Sequence, residues 1–198
     1  MTPRADKRHS ILDGALQVFA RDGYTRASID VIAKESGVST RTIYNHFQDK
    51  AALFQAVVSE STDTVAEAHI ALIDSHFRKI TDLEDDLTDF ALAWTPHKTT
   101  GHTTHFALVR HIQADADHIP APTIQAWQEA GPLRVRRHLA ARLAALPGLT
   151  LDDPERAALH FVVLISPDPA YNSPTPDEPH IRSGVRAFLY GYATARPN

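Results

Sequence analysis

Residues 49 to 94 of this sequence contain neither glycine nor proline, and this feature constrains the fold more than any other. Both residue types interrupt helices, glycine through its conformational freedom and proline through its missing N–H group. Along the chain, apolar residues recur at steps of three and four, whereas strict alternation of apolar and polar residues is rare. That spacing is typical of helices with one buried face. We therefore predict an all-α fold.

Composition excludes several classes of protein. Of the 198 residues, 43% are hydrophobic and 22% are charged, as in ordinary folded domains. The absence of cysteine excludes disulfides, thiolate metal sites and a cysteine nucleophile. Apolar runs such as residues 161–165 are far shorter than the ~18–20 residues of a membrane span. Because no apolar leader follows the N-terminus, we expect a cytoplasmic protein with no membrane partner and no cofactor.

Charge is distributed unevenly along the chain. Residues 1–50 carry eight Lys or Arg against six Asp or Glu, a net charge of +2. The other residues carry 12 against 18, a net charge of −6, which gives the whole chain its formal charge of −4. This asymmetry predicts two surfaces with different partners.

The first fifty residues contain a series of short predicted helices separated by glycines. A helix over residues 2–21 is followed by a second helix that begins at Ser28. A tight turn at Gly37 separates that helix from a third one over residues 39–47. Two short helices around a tight turn outline a helix-turn-helix, although an ordinary αα-hairpin also fits this spacing.

The side chains of the third helix favour DNA binding over the hairpin alternative. Short hydroxyl groups surround one guanidinium at the start of this helix, and further donors follow. Such groups reach base edges or phosphate oxygens from a helix in the major groove. The residues concerned are Ser39, Thr40, Arg41, Thr42, Tyr44, His46 and Lys50. Free N–H groups at the helix start expected at Ser28 suit the same phosphate anions.

The stretch from Ile11 to Leu53 resembles the N-terminal domain of TetR/AcrR-family transcriptional regulators. The matching positions are Ala15, Phe19, Gly23, Tyr24, Ile29, Ile32, Ala33, Gly37, Val38, Ser39, Tyr44, Phe47, Lys50 and Leu53. The resemblance implies a helix-turn-helix DNA-binding domain over residues 1–48. It also implies an all-α ligand-binding and dimerisation domain over residues 49–198.

The resemblance also implies a role for each residue of the DNA-binding domain. Phosphate contacts would come from Ser28 and Tyr44, with His46 and Lys50 beside them. Base-edge contacts would come from Thr40, Arg41 and Thr42, and Asn45 could reach either target. The base-facing positions vary within the family, so they do not specify an operator sequence here. The apolar residues Phe19, Ile32, Val38 and Phe47 are expected to form the core of this domain.

Six further helices are predicted after the DNA-binding domain, with Gly131-Pro132 interrupting the fourth of them. Their ranges are 49–76, 80–94, 103–117, 121–145, 152–166 and 179–194. The five prolines of residues 167–179 predict a connector that cannot be helical. Residues 130–154 also resemble the C-terminal domain of AefR-like regulators. The family resemblance implies a homodimer through the last two helices, although a helix pair can also bury its apolar stripes against its own domain.

The family resemblance implies a pocket for a small-molecule effector in the larger domain. The large aromatic residues among its central helices are candidates for the pocket lining: Phe90, Trp94, Phe106 and Trp127. For each of them, the alternative is an ordinary core residue, which is the commoner role of a large aromatic side chain in a helical domain. We expect a mainly apolar pocket and cannot name its molecule from the sequence.

Two other kinds of site are weighed and set aside. The histidines at 97, 102, 105, 111 and 118, with Asp115 and Asp117, suit zinc or nickel, but no His-x-x-x-His motif orders them. We therefore predict no metal site. A catalytic set of Ser166 or Ser183 with His160, His180 and Asp168 lacks any accompanying nucleophile motif, so we predict that the protein is not an enzyme.

These observations favour a homodimeric transcriptional repressor that a small molecule releases from a palindromic double-stranded DNA operator. The alternative is an architectural DNA-binding protein that needs no ligand. A larger domain packed without a pocket would support that alternative.

Overall fold

A computed structural model describes residues 3–94, 102–167 and 177–192 of the chain. These residues form α-helices joined by turns, and none of them lies in a β-strand. None of the helices in these ranges is long and apolar enough to cross a bilayer. The helices are α1 (Pro3–Arg26), α2 (Ile29–Glu35), α3 (Thr40–Tyr44), α4 (Lys50–His76), α5 (Leu83–Trp94), α6 (Thr103–Ala114), α7 (Ala121–Gln128), α8 (Arg134–Ala144), α9 (Pro154–Ile165) and α10 (Glu178–Tyr192).

Helix boundaries differ from the predicted ones where the backbone departs from regular α-helix. The first helix resumes for one turn beyond Gly23, which has a left-handed φ of 78° and kinks the helix without ending it. The predicted helix over 103–117 ends at Ala114 and continues as a 3₁₀ turn, Ala116–His118. As predicted, the segment 121–145 is interrupted at Gly131-Pro132, by a π-helical turn. Of the predicted non-helical connector over 167–179, residues 168–176 lie outside the described residues, and Glu178 and Pro179 belong to α10, because proline is tolerated in the first turn of a helix.

The chain packs as two compact units. The first unit contains α1, α2, α3, the part of α4 up to Val65, α6 and α7, and the second contains the remaining helices. In the first unit α6 packs along α1, so segment 101–131 joins the N-terminal helices. The boundary between the packing units therefore differs from the predicted boundary between the DNA-binding and ligand-binding domains, at residues 48 and 49. That functional boundary stays a prediction.

The core of the first unit is built from the apolar faces of its helices. Phe19 and Phe54 pack edge to face, with ring centroids 4.9 Å apart, and the Tyr24 ring lies 4.8 Å from Phe54. The predicted core residues Phe19, Ile32 and Phe47 are all buried, and Val38 packs against them half-buried. Burial of this apolar stripe is what makes such short helices stable.

The second unit has its own apolar core, with Phe90, Phe161 and Phe188 fully buried. Its helices α9 and α10 pack closely because Gly184 has no side chain: a Cβ atom there would lie 2.2 Å from the carbonyl oxygen of Leu164. Ion pairs join α10 to α5, since Arg186 Nε donates to Glu84 Oε1 at 2.8 Å. The last two helices thus form a tightly packed pair.

Candidate nucleic-acid interface

The helix-turn-helix is built by two side-chain caps and one glycine. Ser28 precedes α2 in an extended conformation, and its Oγ accepts a hydrogen bond from the Val31 N–H at 3.3 Å. Ser39 caps α3 in the same way and accepts from the Thr42 N–H at 3.1 Å. Between the helices Gly37 has a φ of 65°, a left-handed value that favours glycine in such turns. The predicted helix-turn-helix is therefore confirmed.

One buried residue fixes which side chains of α3 face solvent. Ile43 is almost fully buried in the core of the first unit, so α3 is anchored by its inner face. Arg41 and Asn45 are exposed on the other side, as is Tyr44, which leaves 55% of its surface accessible.

The remaining predicted contacts lie along the same segment. Ser28 and Ser39 are exposed, whereas Thr40, Thr42 and His46 are half-buried. The hydroxyl groups of Ser39 and Thr42 share a hydrogen bond of 2.8 Å. Eight of the nine predicted residues, those from Ser28 to His46, are therefore exposed or half-buried. The hydroxyl groups of Ser28 and Ser39 also cap the starts of α2 and α3.

Lys50 has a different environment from the other predicted residues. Its ammonium Nζ donates to three carbonyl oxygens, those of Tyr24 at 3.0 Å, Ala27 at 3.1 Å and Thr25 at 3.5 Å. The same nitrogen lies 4.7 Å from the centroid of the Tyr24 ring. These partners are 23 to 26 residues away in sequence, so no local signal could have revealed them.

A second cation of the first unit is also engaged within the chain. The Arg21 guanidinium donates two hydrogen bonds of 3.0 Å to the Asp22 carboxylate. This hydrogen bonding holds the pKa of Asp22 below its usual value and raises the pKa of Arg21. Arg21 also lies 3.6 Å from the Glu35 carboxylate. Arg21 thus binds two carboxylates of its own unit, whereas Arg41 is exposed at the start of α3 and its role stays a prediction.

The four predicted effector contacts divide between the two units. In the second unit, Phe90 is fully buried and lies 5.4 Å from the Trp94 ring, which is half-buried. In the first unit, Phe106 and Trp127 are half-buried. Phe90 thus has the surroundings of a core residue, whereas the three partly accessible rings keep some surface for a ligand. Their role in binding stays a prediction.

A cleft of about 320 Å³ opens in the first unit among α1, α4 and α6, and the sequence did not predict it. Its lining includes His9, Asp13, Glu60, Ser61 and His105. His9 lies 3.3 Å from Asp13 and 3.5 Å from Glu60, and Ser61 shares a hydrogen bond of 2.8 Å with the His105 ring. Leu12, Leu16, Val57 and Val65 also line the cleft, so its lining is mixed, whereas the effector pocket that we expect is mainly apolar.

The alternative sites receive no geometric support. Within the described ranges, no three side chains of His, Asp or Glu converge as metal ligands, and His97 lies outside those ranges. The Ser166 hydroxyl donates to the Val162 carbonyl at 2.6 Å, and the His180 ring bonds the Ser166 carbonyl at 2.9 Å. Within the part of the chain that the structure describes, the Ser166 hydroxyl is thus not bonded to a histidine base, and Asp168 lies outside that part.

The second unit exposes apolar side chains on its last two helices. Four of them keep between 36% and 61% of their surface accessible: Leu159, Val163, Leu164 and Tyr190. In contrast, Ala157, Ala158, Phe161 and Ile165 of α9 face inward and are buried in the core of the second unit. We call the four exposed residues the α9–α10 face.

Comparison with protein families agrees with both halves of the chain. Residues 11–57 match the family of bacterial regulatory proteins of the tetR type. Residues 85–194, more than half of the chain, match the C-terminal domain of AefR-like transcriptional repressors. The chain belongs to the TetR family. Its members are DNA-binding transcriptional regulators, not enzymes.

Individual relatives support the family and the fold. This TetR-family chain is 42% identical over 62 residues to the HTH-type transcriptional repressor Rv1474c of Mycobacterium tuberculosis, a match that covers 31% of the chain. That match spans only about a third, 33%, of the relative's own length. A TetR-family regulator from Mesorhizobium loti has a similar structure, with a TM-score of 0.82 and 27% identity over 98% of this chain and 100% of that one.

A second solved structure extends the likeness to a regulator with a named response. It is that of the flavonoid-responsive regulator FrrA, with a TM-score of 0.63 and 28% identity. The alignment covers 96% of this TetR-family chain and 98% of FrrA.

Proposed function

We propose that this TetR-family chain is a homodimeric repressor that binds a palindromic DNA operator and is released from it by a small, mainly apolar molecule. The observation that carries the proposal is α3, whose buried Ile43 leaves Arg41, Tyr44 and Asn45 exposed at a capped helix start. A helix presented in this way suits the major groove, where such side chains reach base edges.

The proposed contacts divide into two kinds. Phosphate contacts come from Ser28, Ser39, Tyr44 and His46, which fix the register of the protein on DNA without reading its sequence. Base contacts come from Thr40, Arg41 and Thr42, with Asn45 reaching either target. The exposed α2 cap at Ser28 and the exposed α3 cap at Ser39 support this division, since each lies at a helix N-terminus that favours anions. Lys50, the ninth predicted residue, begins α4, and its ammonium group is bonded to three carbonyl oxygens of the chain.

The α9–α10 face supports a dimer through the last two helices. Contiguous exposed apolar surface is rare in monomeric proteins and marks a contact with another molecule. In a two-fold symmetric pair, each exposed residue is buried twice, once in each subunit. Two copies would carry two α3 helices, which accounts for a palindromic operator.

The effector is proposed to be a small, mainly apolar molecule, for which the candidate contacts are Phe106 and Trp127 in the first unit and Trp94 and Phe90 in the second. The name of FrrA, a regulator responsive to flavonoids, gives an aromatic compound as a reasonable first class to screen. Release from DNA requires that the effector bind one conformation more tightly than the DNA-bound one. A cytoplasmic location suits a repressor that must reach DNA.

Selection of random duplex DNA by the purified protein tests this function. The expected result is an enriched palindromic site whose binding weakens in the presence of the effector. Only steep salt-dependent binding, without enrichment, would favour the ligand-independent architectural protein. Absence of DNA binding would contradict the proposal.

A further inference from the structure

We propose that Lys50 serves DNA binding as a positioning residue, and that it does not act as a phosphate contact. Its ammonium group fixes the end of α1 and the following Ala27 against the start of α4. The segment held between these two points contains α2, the turn and α3. This inference rests on the proposed DNA-binding function.

The geometry leaves the ammonium group no spare donor. A lysine ammonium has three N–H groups and no acceptor. Three carbonyl oxygens lie within 3.5 Å of Lys50 Nζ, and they belong to Tyr24, Thr25 and Ala27. The Tyr24 ring adds a cation–π contact at 4.7 Å. A phosphate oxygen would therefore have to displace one of the bonds within the chain.

The carbonyl groups that Lys50 binds lie at the end of α1, where carbonyl groups lack N–H donors within the helix. The last carbonyls of a helix have no intrahelical partner, and a cation near them is favoured by the helix dipole. Here α1 is kinked at Gly23 and ends at Arg26. An ammonium group beside this end satisfies carbonyls that would otherwise depend on water.

The two ends of the helix-turn-helix meet at Lys50. On one side, Ala27 directly precedes Ser28, the cap of α2. On the other side, Lys50 is the first residue of α4, which Asp49 caps by accepting from the Ala52 N–H at 2.7 Å. The Lys50 side chain thus joins the two ends of the segment between residues 28 and 49 by hydrogen bonds. Its loss would let α3 change its angle while the core stays folded.

The core itself does not depend on this bond. The Tyr24 ring packs on Phe54, which is fully buried, and on Phe19. Removing the ammonium group leaves these apolar contacts intact. A variant without the charge is therefore expected to fold and to bind DNA poorly.

Two substitutions separate a positioning role from a phosphate contact. Lys50→Met removes the charge and keeps the apolar stem. Lys50→Arg keeps the charge, and a guanidinium is an excellent phosphate partner. However, its planar fork fits poorly among three carbonyl oxygens that converge on one point. A positioning role predicts that both variants lose affinity, whereas a phosphate contact predicts that Lys50→Arg binds like the wild type.

The experiment is a titration of fluorescent duplex DNA with wild type, both variants and the control Lys34→Met, an exposed cation of α2, at about 50 to 200 mM salt. We expect Lys50→Met and Lys50→Arg to weaken binding about tenfold or more, with the wild-type slope of log K against log salt. A slope reduced by about 0.9, together with wild-type affinity for Lys50→Arg, would overturn the proposal.

A second measurement uses the wild-type protein without DNA. NMR of the Lys50 ammonium group is expected to show slow proton exchange with water, as for a group bonded on all sides. Fast exchange would refute the bonding on which the proposal depends, even where Lys50→Met fails to fold. If the wild type binds no DNA while the ammonium protons exchange slowly, the proposed function fails, and the hydrogen bonding of Lys50 to the end of α1 stands.

Discussion

The α3 surface of the first unit and the α9–α10 face of the second unit are both exposed sides of amphipathic helices, yet they differ in chemistry. The α3 surface presents hydroxyl groups, a guanidinium and the phenol of Tyr44. The α9–α10 face presents aliphatic groups and Tyr190. Burial of the opposite stripe stabilises the helices in both cases, so burial does not distinguish them. The side chains that each surface exposes to water support its proposed partner, which is DNA for the α3 surface and a second copy of the chain for the α9–α10 face.

The largest expected effect concerns the helix pair that carries the α9–α10 face. Gly184→Val should lower the free energy of unfolding by about 3 kcal/mol, because even a Cβ atom meets the Leu164 carbonyl at 2.2 Å. Gly191→Val on the same helix is the control, since nothing lies within 4 Å of that position. It should change stability by no more than about 0.5 kcal/mol. Equal denaturation midpoints for both variants would show that α9 and α10 are not closely packed.

The next effect tests the α9–α10 face, with a control substitution on an exposed valine of the first unit. Val163 is 61% exposed on the α9–α10 face and Val31 is 40% exposed on α2. Val163→Asp should weaken dimerisation about 100-fold, or about 3 kcal/mol, because the charge is buried twice in a symmetric interface. Sedimentation of Val31→Asp should match the wild type. If both variants dimerise normally, the dimer uses another surface.

Two arginine variants test whether the α3 surface reads DNA bases. Arg41→Ala should cost about 1–3 kcal/mol on the selected operator and less on mismatched duplexes, since a base contact is lost. The control is Arg110→Ala, an exposed arginine of α6 in the same unit. Binding competition among duplexes measures both variants. A loss for Arg41→Ala that is the same on every sequence would assign Arg41 to phosphate.

The smallest effect concerns pH and compares carboxylates of the two units. Hydrogen bonds from His138 and Arg142 hold the pKa of Asp74 below its ordinary value of 3.8. The folded state therefore binds fewer protons than the unfolded state near that pH, and the resulting stability is lost as pH falls below about 4.

Asp74→Asn should accordingly flatten the decline of stability on acidification, as followed by chemical denaturation at several pH values. Asp30→Asn, which alters an exposed carboxylate of α2, is the control and should leave the decline unchanged. Identical curves for the two variants would count against a folded-state pKa shift at Asp74.

The parts of the molecule that local signals determine were predictable. Ser28, Gly37 and Ser39 act within three or four residues of themselves, so the sequence alone predicts the helix-turn-helix. The break at Gly131-Pro132 was predictable for the same reason.

The parts that depend on distant partners were not predictable. Lys50 finds carbonyl groups 23 to 26 residues away, and its position beside α3 suggested a phosphate contact instead. The packing of α6 on α1 places segment 101–131 in the first unit, which no composition shift indicated. The full burial of Phe90 likewise depends on residues such as Phe161 in another helix.

The most direct test of the account is the mass of the complex on DNA, measured by sedimentation with the selected palindrome and with a single half-site. The account predicts two chains on the palindrome and much weaker binding to the half-site, because the α3 surface and the α9–α10 face act together. One chain bound with equal affinity to either duplex would contradict it.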